Sequence, residues 1–191
     1  MRILLLDNYD SFTYNLYHYA AQFANTDVRR NNELALQDVK QYDAIILSPG
    51  PGLPKDSGIM PALIQQYYTT KPILGVCLGH QAIAEALGAQ LINLPEVFHG
   101  LNRKAIVTKP DIIFNGMGTE LSVGLYHSWA VEASTLPDEL EVTAVGENNI
   151  CMAISHKTLP VKGVQFHPES VLTANGIKII ENFITLVSQP R

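Results

Sequence analysis

The chemistry in this sequence starts at Cys77. It closes the apolar run Ile73-Leu74-Gly75-Val76 and passes at once into Leu78-Gly79-His80-Gln81 and a predicted helix over Gln81–Leu87. A strand that turns sharply into a helix brings backbone close to backbone, and small residues such as Gly75 and Gly79 are what that turn requires. The turn lifts the sulfur out at the helix N-terminus. There, free N–H groups and the helix dipole favour the thiolate, the form that attacks a carbonyl carbon. On this segment alone a second reading stays open, because a free cysteine is among the most buried residue types and can simply close a core strand.

A base for that nucleophile is offered by Gly163-Val164-Gln165-Phe166-His167-Pro168-Glu169. In an extended segment residues i and i+2 point the same way, so His167 and Glu169 project together. The imidazole can take a thiol proton and later deliver it to a leaving amine, while the carboxylate fixes the tautomer and supports the imidazolium. Taken singly, a histidine beside a proline is more often a surface or core-edge residue. No further cysteine or histidine stands at a zinc-like spacing near either segment, so no metal is expected on Cys77, His167 and Glu169.

A third element is Ser48-Pro49-Gly50-Pro51-Gly52, directly after the apolar run Ala44-Ile45-Ile46-Leu47. Its glycines leave N–H groups unshielded, so the loop could aim a backbone donor at an oxyanion. As plain Pro/Gly punctuation after a strand it would need no function. Neither a Walker loop nor a dinucleotide-binding fingerprint is present.

These segments need a scaffold, and the apolar pattern supplies one. Ile3–Leu6 reads as a buried strand, and Phe12, Leu16, Tyr19, Ala20 and Phe23 recur at helical spacing. Strands follow at about Asp27–Arg30 and Ala44–Leu47, then a helical run Ile59–Tyr68 and the strand Ile73–Val76. Alternating strands and helices predict parallel βαβ units, whose ligand crevice lies at the carboxyl ends of the strands. Beyond about residue 95 the pattern changes to short strands and hairpins. Glu141–Glu147 and Ile150–His156 flank Asn148-Asn149, a pair able to take the positive φ angles of a tight turn. Ile177, Ile180, Phe183, Ile184 and Val187 mark a final amphipathic helix, and Cys151 falls in a strand-like run as inert core.

With these segments in this order, the chain resembles the class I (triad) glutamine amidotransferase family across essentially its whole length. The opening Leu6-Asp7-Asn8-Tyr9-Asp10-Ser11-Phe12-Thr13-Tyr14-Asn15-Leu16 is similar to the glutaminase components of chorismate-using synthases, as is the tail Val164–Ser170. The resemblance implies an α/β, flavodoxin-like domain over residues 1–191, with a central mostly parallel sheet flanked by helices and a small antiparallel sheet or hairpins in the second half. It implies hydrolysis of L-glutamine to glutamate and transfer of ammonia to a partner protein that works on chorismate. That partner is expected to be anthranilate synthase component I or aminodeoxychorismate synthase component I, in a hetero-oligomer. Cys77, His167 and Glu169 fall on the family's triad. The N–H groups of Gly52 and Leu78 fall on its oxyanion hole, and Gly50, Pro51, Gly52, Gln81, Ser128 and Trp129 fall where it holds glutamine. No cofactor is implied for this chain, and Mg2+ only for the synthase partner. His127 ranks below His167 as a base, because no carboxylate stands two residues away.

Two departures stand out. Phe98-His99-Gly100-Leu101-Asn102-Arg103-Lys104 replaces a His-Gly-Lys followed by small hydroxyl residues, at a place expected to lie away from the triad segments, and Trp129 stands where a smaller aliphatic residue is common. Composition agrees with the reading. The 191 residues suit one domain without room for a synthase, so an ammonia acceptor is expected on another polypeptide. A formal net charge of −5 and the lack of a Lys/Arg stripe argue against nucleic acid as partner. No apolar stretch reaches membrane-spanning length and no cleavable signal pattern opens the chain, so a cytoplasmic, membrane-free protein is expected. Two cysteines suit a reducing compartment. A self-contained cysteine hydrolase and a non-catalytic flavodoxin-like binding module are the competing readings.

Overall fold

The computed structural model describes residues 1–189. Short apolar runs form the middle of its sheet: β1 (Arg2–Asp7), β3 (Ala44–Leu47) and β4 (Ile73–Val76), with β2 (Asn25–Arg30) on the outer edge. All four residues of β3 and of β4 are buried, as strands covered on both faces must be. Helices α1 (Thr13–Ala20), α2 (Met60–Tyr67), α3 (Leu78–Ala86) and α4 (Ile177–Ser188) cover the two faces.

Period-two alternation divides the core. Ile3 and Leu5 of β1 join Leu74 and Val76 of β4 on one face, under Leu16 of α1 and Ile180 and Phe183 of α4. Leu4, Leu6, Ile45 and Ile73 face the other way, against Leu63 of α2 and Ile83 of α3. Transfer of these side chains from water supplies most of the driving force, at about 25 cal/mol per Å2 of apolar area.

The second half supplies β5 (Leu91–Asn93), β6 (Leu101–Val107), β7 (Glu120–Leu125), β8 (Trp129–Val131), β9 (Leu140–Val145), β10 (Cys151–His156) and β11 (Val161–Val164). The main sheet has nine strands in the order β2-β1-β3-β4-β11-β10-β9-β6-β7. Its first five run parallel in the flavodoxin order, and antiparallel pairings carry it on from β11. The expected hairpins therefore extend the central sheet, and the separate small antiparallel sheet is β5 with β8. The β9–β10 turn uses Asn148 at φ 54 and Asn149 at φ 58, as their types predict.

Several boundaries shift by one or two residues, and two differ by three. The helix after Cys77 starts at Leu78 and not at Gln81. Helix α1 stops at Ala20, so Phe23 lies beyond it and is 38% exposed instead of continuing the apolar face. Among the described residues no helix is long and apolar enough to cross a membrane.

Candidate active site

Parallel register aligns the chain where it leaves the sheet. Leu6 pairs with Leu47, Leu47 with Gly75, and Val76 with Val164, so Asn8, Ser48, Cys77 and Gln165 all emerge at the carboxyl ends of adjacent strands. Cys77 makes the sharpest exit, at φ 51 and ψ −101. For a residue with a Cβ this conformation costs about 1–3 kcal/mol and persists only where its surroundings enforce it. Here Cys77 N–H donates to Val164 O at 2.9 Å and Gln81 N–H to Cys77 O at 3.0 Å. A methyl on Gly75 would overlap the Gly79 carbonyl group, and one on Gly79 would come within 2.6 Å of Leu47 O. The abrupt turn explains the early helix start: with Cys77 holding the whole change of direction, Leu78 is already helical.

His167 and Glu169 do come together, but through a turn and not an extended strand. Strand β11 ends at Val164, His167 N–H donates to Gly124 O of β7 at 3.0 Å, and Ser170 N–H closes the turn onto His167 O at 3.2 Å. Thr173 braces it: its hydroxyl donates to His167 O at 2.5 Å and accepts from Gly124 N–H at 2.9 Å. Within the turn His167 Nδ1–H meets Glu169 Oε1 at 2.7 Å, with both side chains buried. Phe12 and Tyr126 flank the imidazole, with ring centroids 5.9 and 4.8 Å away. Burial opposes a charge on the ring, but the Cys77 sulfur and the Glu169 carboxylate outweigh it and hold His167 well above its ordinary 6.5. Its Nε2 makes no hydrogen bond of full geometry in this resting arrangement, a common state for a catalytic base without substrate.

Gly50, Pro51, Gly52, Cys77, Leu78, Gln81, Ser128 and Trp129 line one pocket of about 170 Å3, with Tyr126 and His127 completing its wall. His167 and Glu169 are buried behind that wall. Gly52 sits at φ 77, a left-handed position that Pro51-Gly52 suits. Among the described residues neither Gly52 N–H nor Leu78 N–H donates a hydrogen bond, so both are available to an oxyanion. The loop is tied down from below, since Asn8 bonds Ser48 through its own N–H and side-chain amide, each at 2.9 Å, and Asn31 bonds Asn8 at 3.0 Å.

Trp129 offers its backbone to the site more than its ring. Its carbonyl accepts from Gln81 Nε2 and from His127 Nδ1–H, both at 2.8 Å. A carbonyl can only accept, so Gln81 has its nitrogen fixed and His127 its tautomer. Burial pushes His127 down to about 4, with the Trp129 carbonyl opposing and His167 adding to the fall, so this ring is neutral near pH 7. The ranking of His127 below His167 agrees with that environment. His80, on the inner face of α3 against Gly163, is wholly buried and is pushed down to about 3. Cys151, expected as inert core, is buried and pushed up to about 12.

The start of the segment Phe98–Lys104 lies closer to the site than its sequence position suggested, while Arg103 and Lys104 reach Glu147 and Glu120. Phe98 packs on His127 at 5.1 Å and His99 on Tyr126 at 5.9 Å, because Phe98 N–H donates to His127 O and Gly100 N–H to Leu125 O. Phe98 and His99 back the pocket wall at His127 and Tyr126. A larger open depression of about 680 Å3 lies at the opposite end of the strands, near Lys40, Asp43 and Lys71, and brings no nucleophile and base together. Sequence reasoning gave no role to Gln165, Asn8 or Thr173. No local signal marked Gln165, because its side-chain partners Gln81 and Cys77 stand 84 and 88 residues away in the chain.

Residues 4–187 match the family model described as glutamine amidotransferase class-I. The chain is 44% identical over 189 residues to aminodeoxychorismate synthase component 2 of Serratia marcescens, covering 95% of this chain and 98% of that one. It is 44% identical over 190 residues to anthranilate synthase component 2 of Lactococcus lactis, covering 98% and 96%. A crystal structure from Thermoplasma acidophilum, of a protein described as one component of a GMP synthase, superimposes with a TM-score of 0.88 at 26% identity, over 98% of this chain and 94% of the other.

Proposed function

Because this chain belongs to the class I glutamine amidotransferase family, we propose that it is the glutaminase component of a chorismate-using synthase, with anthranilate synthase as its first assignment. The observation that carries the chemistry is the Cys77 sulfur, on its strained turn, lying beside the buried His167–Glu169 pair and facing a pocket with two unengaged N–H groups.

The Cys77 thiolate attacks the carboxamide carbon of L-glutamine, and the tetrahedral oxyanion is received by the Gly52 and Leu78 N–H groups. The His167 imidazolium gives its proton to the departing nitrogen, leaving ammonia and a γ-glutamyl thioester. Water then attacks the thioester as the neutral imidazole takes its proton, and collapse returns the thiolate, the imidazolium and glutamate. Glu169 keeps the His167 Nδ1 proton in place, so Nε2 is the atom that works. Gln81 has both amide hydrogens committed, to Trp129 O and Gln165 Oε1, so its carbonyl oxygen is what it offers to a donor group of the substrate. Gly50, Pro51, Ser128 and Trp129 complete the substrate wall.

Service to aminodeoxychorismate synthase, alone or in addition, is the second reading, since relatives bearing either name are equally similar. The experiment is glutamate release from glutamine by wild type and Cys77→Ala, alone and mixed in turn with each chorismate-using synthase component, with and without chorismate. Stimulation by one of those components, lost in the variant, supports the reading and names the pathway. Glutamate release that persists in Cys77→Ala removes Cys77 as nucleophile, and no glutamate in any mixture removes the glutaminase assignment.

A further inference from the structure

We infer that Gln165 is a catalytic residue of this glutaminase, its side-chain amide holding the Cys77 sulfur whenever negative charge rests there. The inference rests on Cys77 being the nucleophile. Gln165 is fully buried, and its Nε2 donates toward Cys77 Sγ at 3.5 Å. No core residue needs an amide at that position. An apolar side chain would fill the space without the cost of burying four polar valences.

The orientation of the amide follows from its neighbours. Trp129 O can only accept, so the group facing it on Gln81 is the nitrogen. That nitrogen has one more hydrogen, 3.0 Å from the Gln165 side chain, which must therefore present its oxygen. The Gln165 nitrogen is thereby turned to the sulfur. A backbone carbonyl thus fixes two side-chain amides in series, and the last one points at the reacting atom. The line Trp129–Gln81–Gln165–Cys77 runs from the substrate wall to the nucleophile.

A donor at sulfur acts where sulfur is anionic. In the resting state it supports the thiolate beside the His167 imidazolium. During hydrolysis of the thioester, water adds to the carbonyl carbon and its proton goes to His167. The C–S bond then breaks with its electron pair passing to Sγ, to which the Gln165 N–H donates, and the product acid releases its proton to solvent. The carbonyl oxyanion is left to Gly52 and Leu78, so the two developing charges of the reaction have separate donors.

The test is the pH dependence of Cys77 alkylation by iodoacetamide, read beside glutamine turnover and thermal unfolding, in wild type, Gln165→Met and Gln81→Met. Gln165→Met should move the alkylation midpoint up by about one pH unit, a tenfold loss of rate on the acid limb, and lower kcat at least as much, because hydrogen bonds to charged groups are the strong ones. Gln81→Met makes no hydrogen bond to sulfur to lose, yet should shift the midpoint the same way by freeing Gln165 to turn. If Gln165→Met folds and loses turnover while its alkylation profile overlays wild type, Gln165 is only packing and the inference falls. If Gln165→Met does not fold, an unmoved midpoint in Gln81→Met overturns it. Glutamine turnover surviving in Cys77→Ala would instead strike the nucleophile assignment, a result these profiles cannot imitate.

Discussion

Acid should unfold this protein through two histidines that the reaction does not titrate. His80 and His127 are held neutral by burial, at about 3 and about 4 against an ordinary 6.5. A base whose folded value is depressed contributes stability above its unfolded value and loses it as pH falls, because the unfolded chain takes up protons that the folded one refuses. Between about pH 7 and about pH 5 each unfolded ring gains most of a proton, which at about 1.4 kcal/mol per pH unit removes about 1.8 kcal/mol per histidine, or about 3.6 together. His167 works oppositely. Its raised value adds stability that is complete below 6.5 and is lost as pH rises through the folded value, so it offsets only the first part of the fall. Against a total of about 5–15 kcal/mol the loss is large. With a urea slope of about 2 kcal/mol per M, the midpoint should drop by roughly 1.5–2 M on going from about pH 7 to about pH 5. His80→Leu should cancel about half of that drop, and comparing variant with wild type removes the carboxylates common to both. Equal urea midpoints at the two pH values, or a pH dependence untouched by His80→Leu, would refute the reasoning.

Three further outcomes follow from the site. Cys77→Gly should be more stable than Cys77→Ala by about 1 kcal/mol, since only glycine is at ease at positive φ, and both should release no glutamate; equal unfolding midpoints would show that the turn stores no strain. Thr173→Val should cost about 1–3 kcal/mol by leaving Gly124 N–H without its acceptor, and should lower kcat more than KM as the His167 turn loosens, with Thr173→Ser restoring both in denaturation and steady-state assays. Gly75→Ala should cost at least about 1–3 kcal/mol because the clash is with backbone, and folded, fully active Gly75→Ala would contradict the packing described at the turn.

The parts of this structure legible in sequence are those with a local cause. Strands β3 and β4 were found to the residue because a strand buried on both faces reads as an unbroken apolar run. The Asn148-Asn149 turn was legible because few residue types tolerate positive φ. Cys77 was flagged by the glycines on either side. What stayed hidden depends on distant partners. The extended geometry expected at His167 was wrong because β7 captures its N–H through Gly124, a contact with no mark near residue 167. Phe98 and His99 were placed away from the site because the bonds of Phe98 and Gly100 to residues 127 and 125 cannot be read from their own neighbourhood. Gln165 escaped because its meaning lies in the carbonyl of Trp129, two hydrogen bonds away.

Strands β4 and β11 are neighbours in space, yet Cys77 and Gln165 stand 88 residues apart in the chain. A ribosome adding about 5–20 residues per second makes β1 to β4 and Cys77 several seconds before β11, whose Val164 carbonyl holds the cysteine turn. Over that interval the nascent chain carries Cys77 without the His167–Glu169 pair. The same interval leaves the flank of β4 unpaired, a row of free amides and carbonyls on an apolar ribbon that another half-made chain can join. Such late, long-range closure also makes for slow folding. Demand for chaperone protection should therefore peak while the excursion between α3 and β11 is being translated, and end when one four-residue strand slides into place.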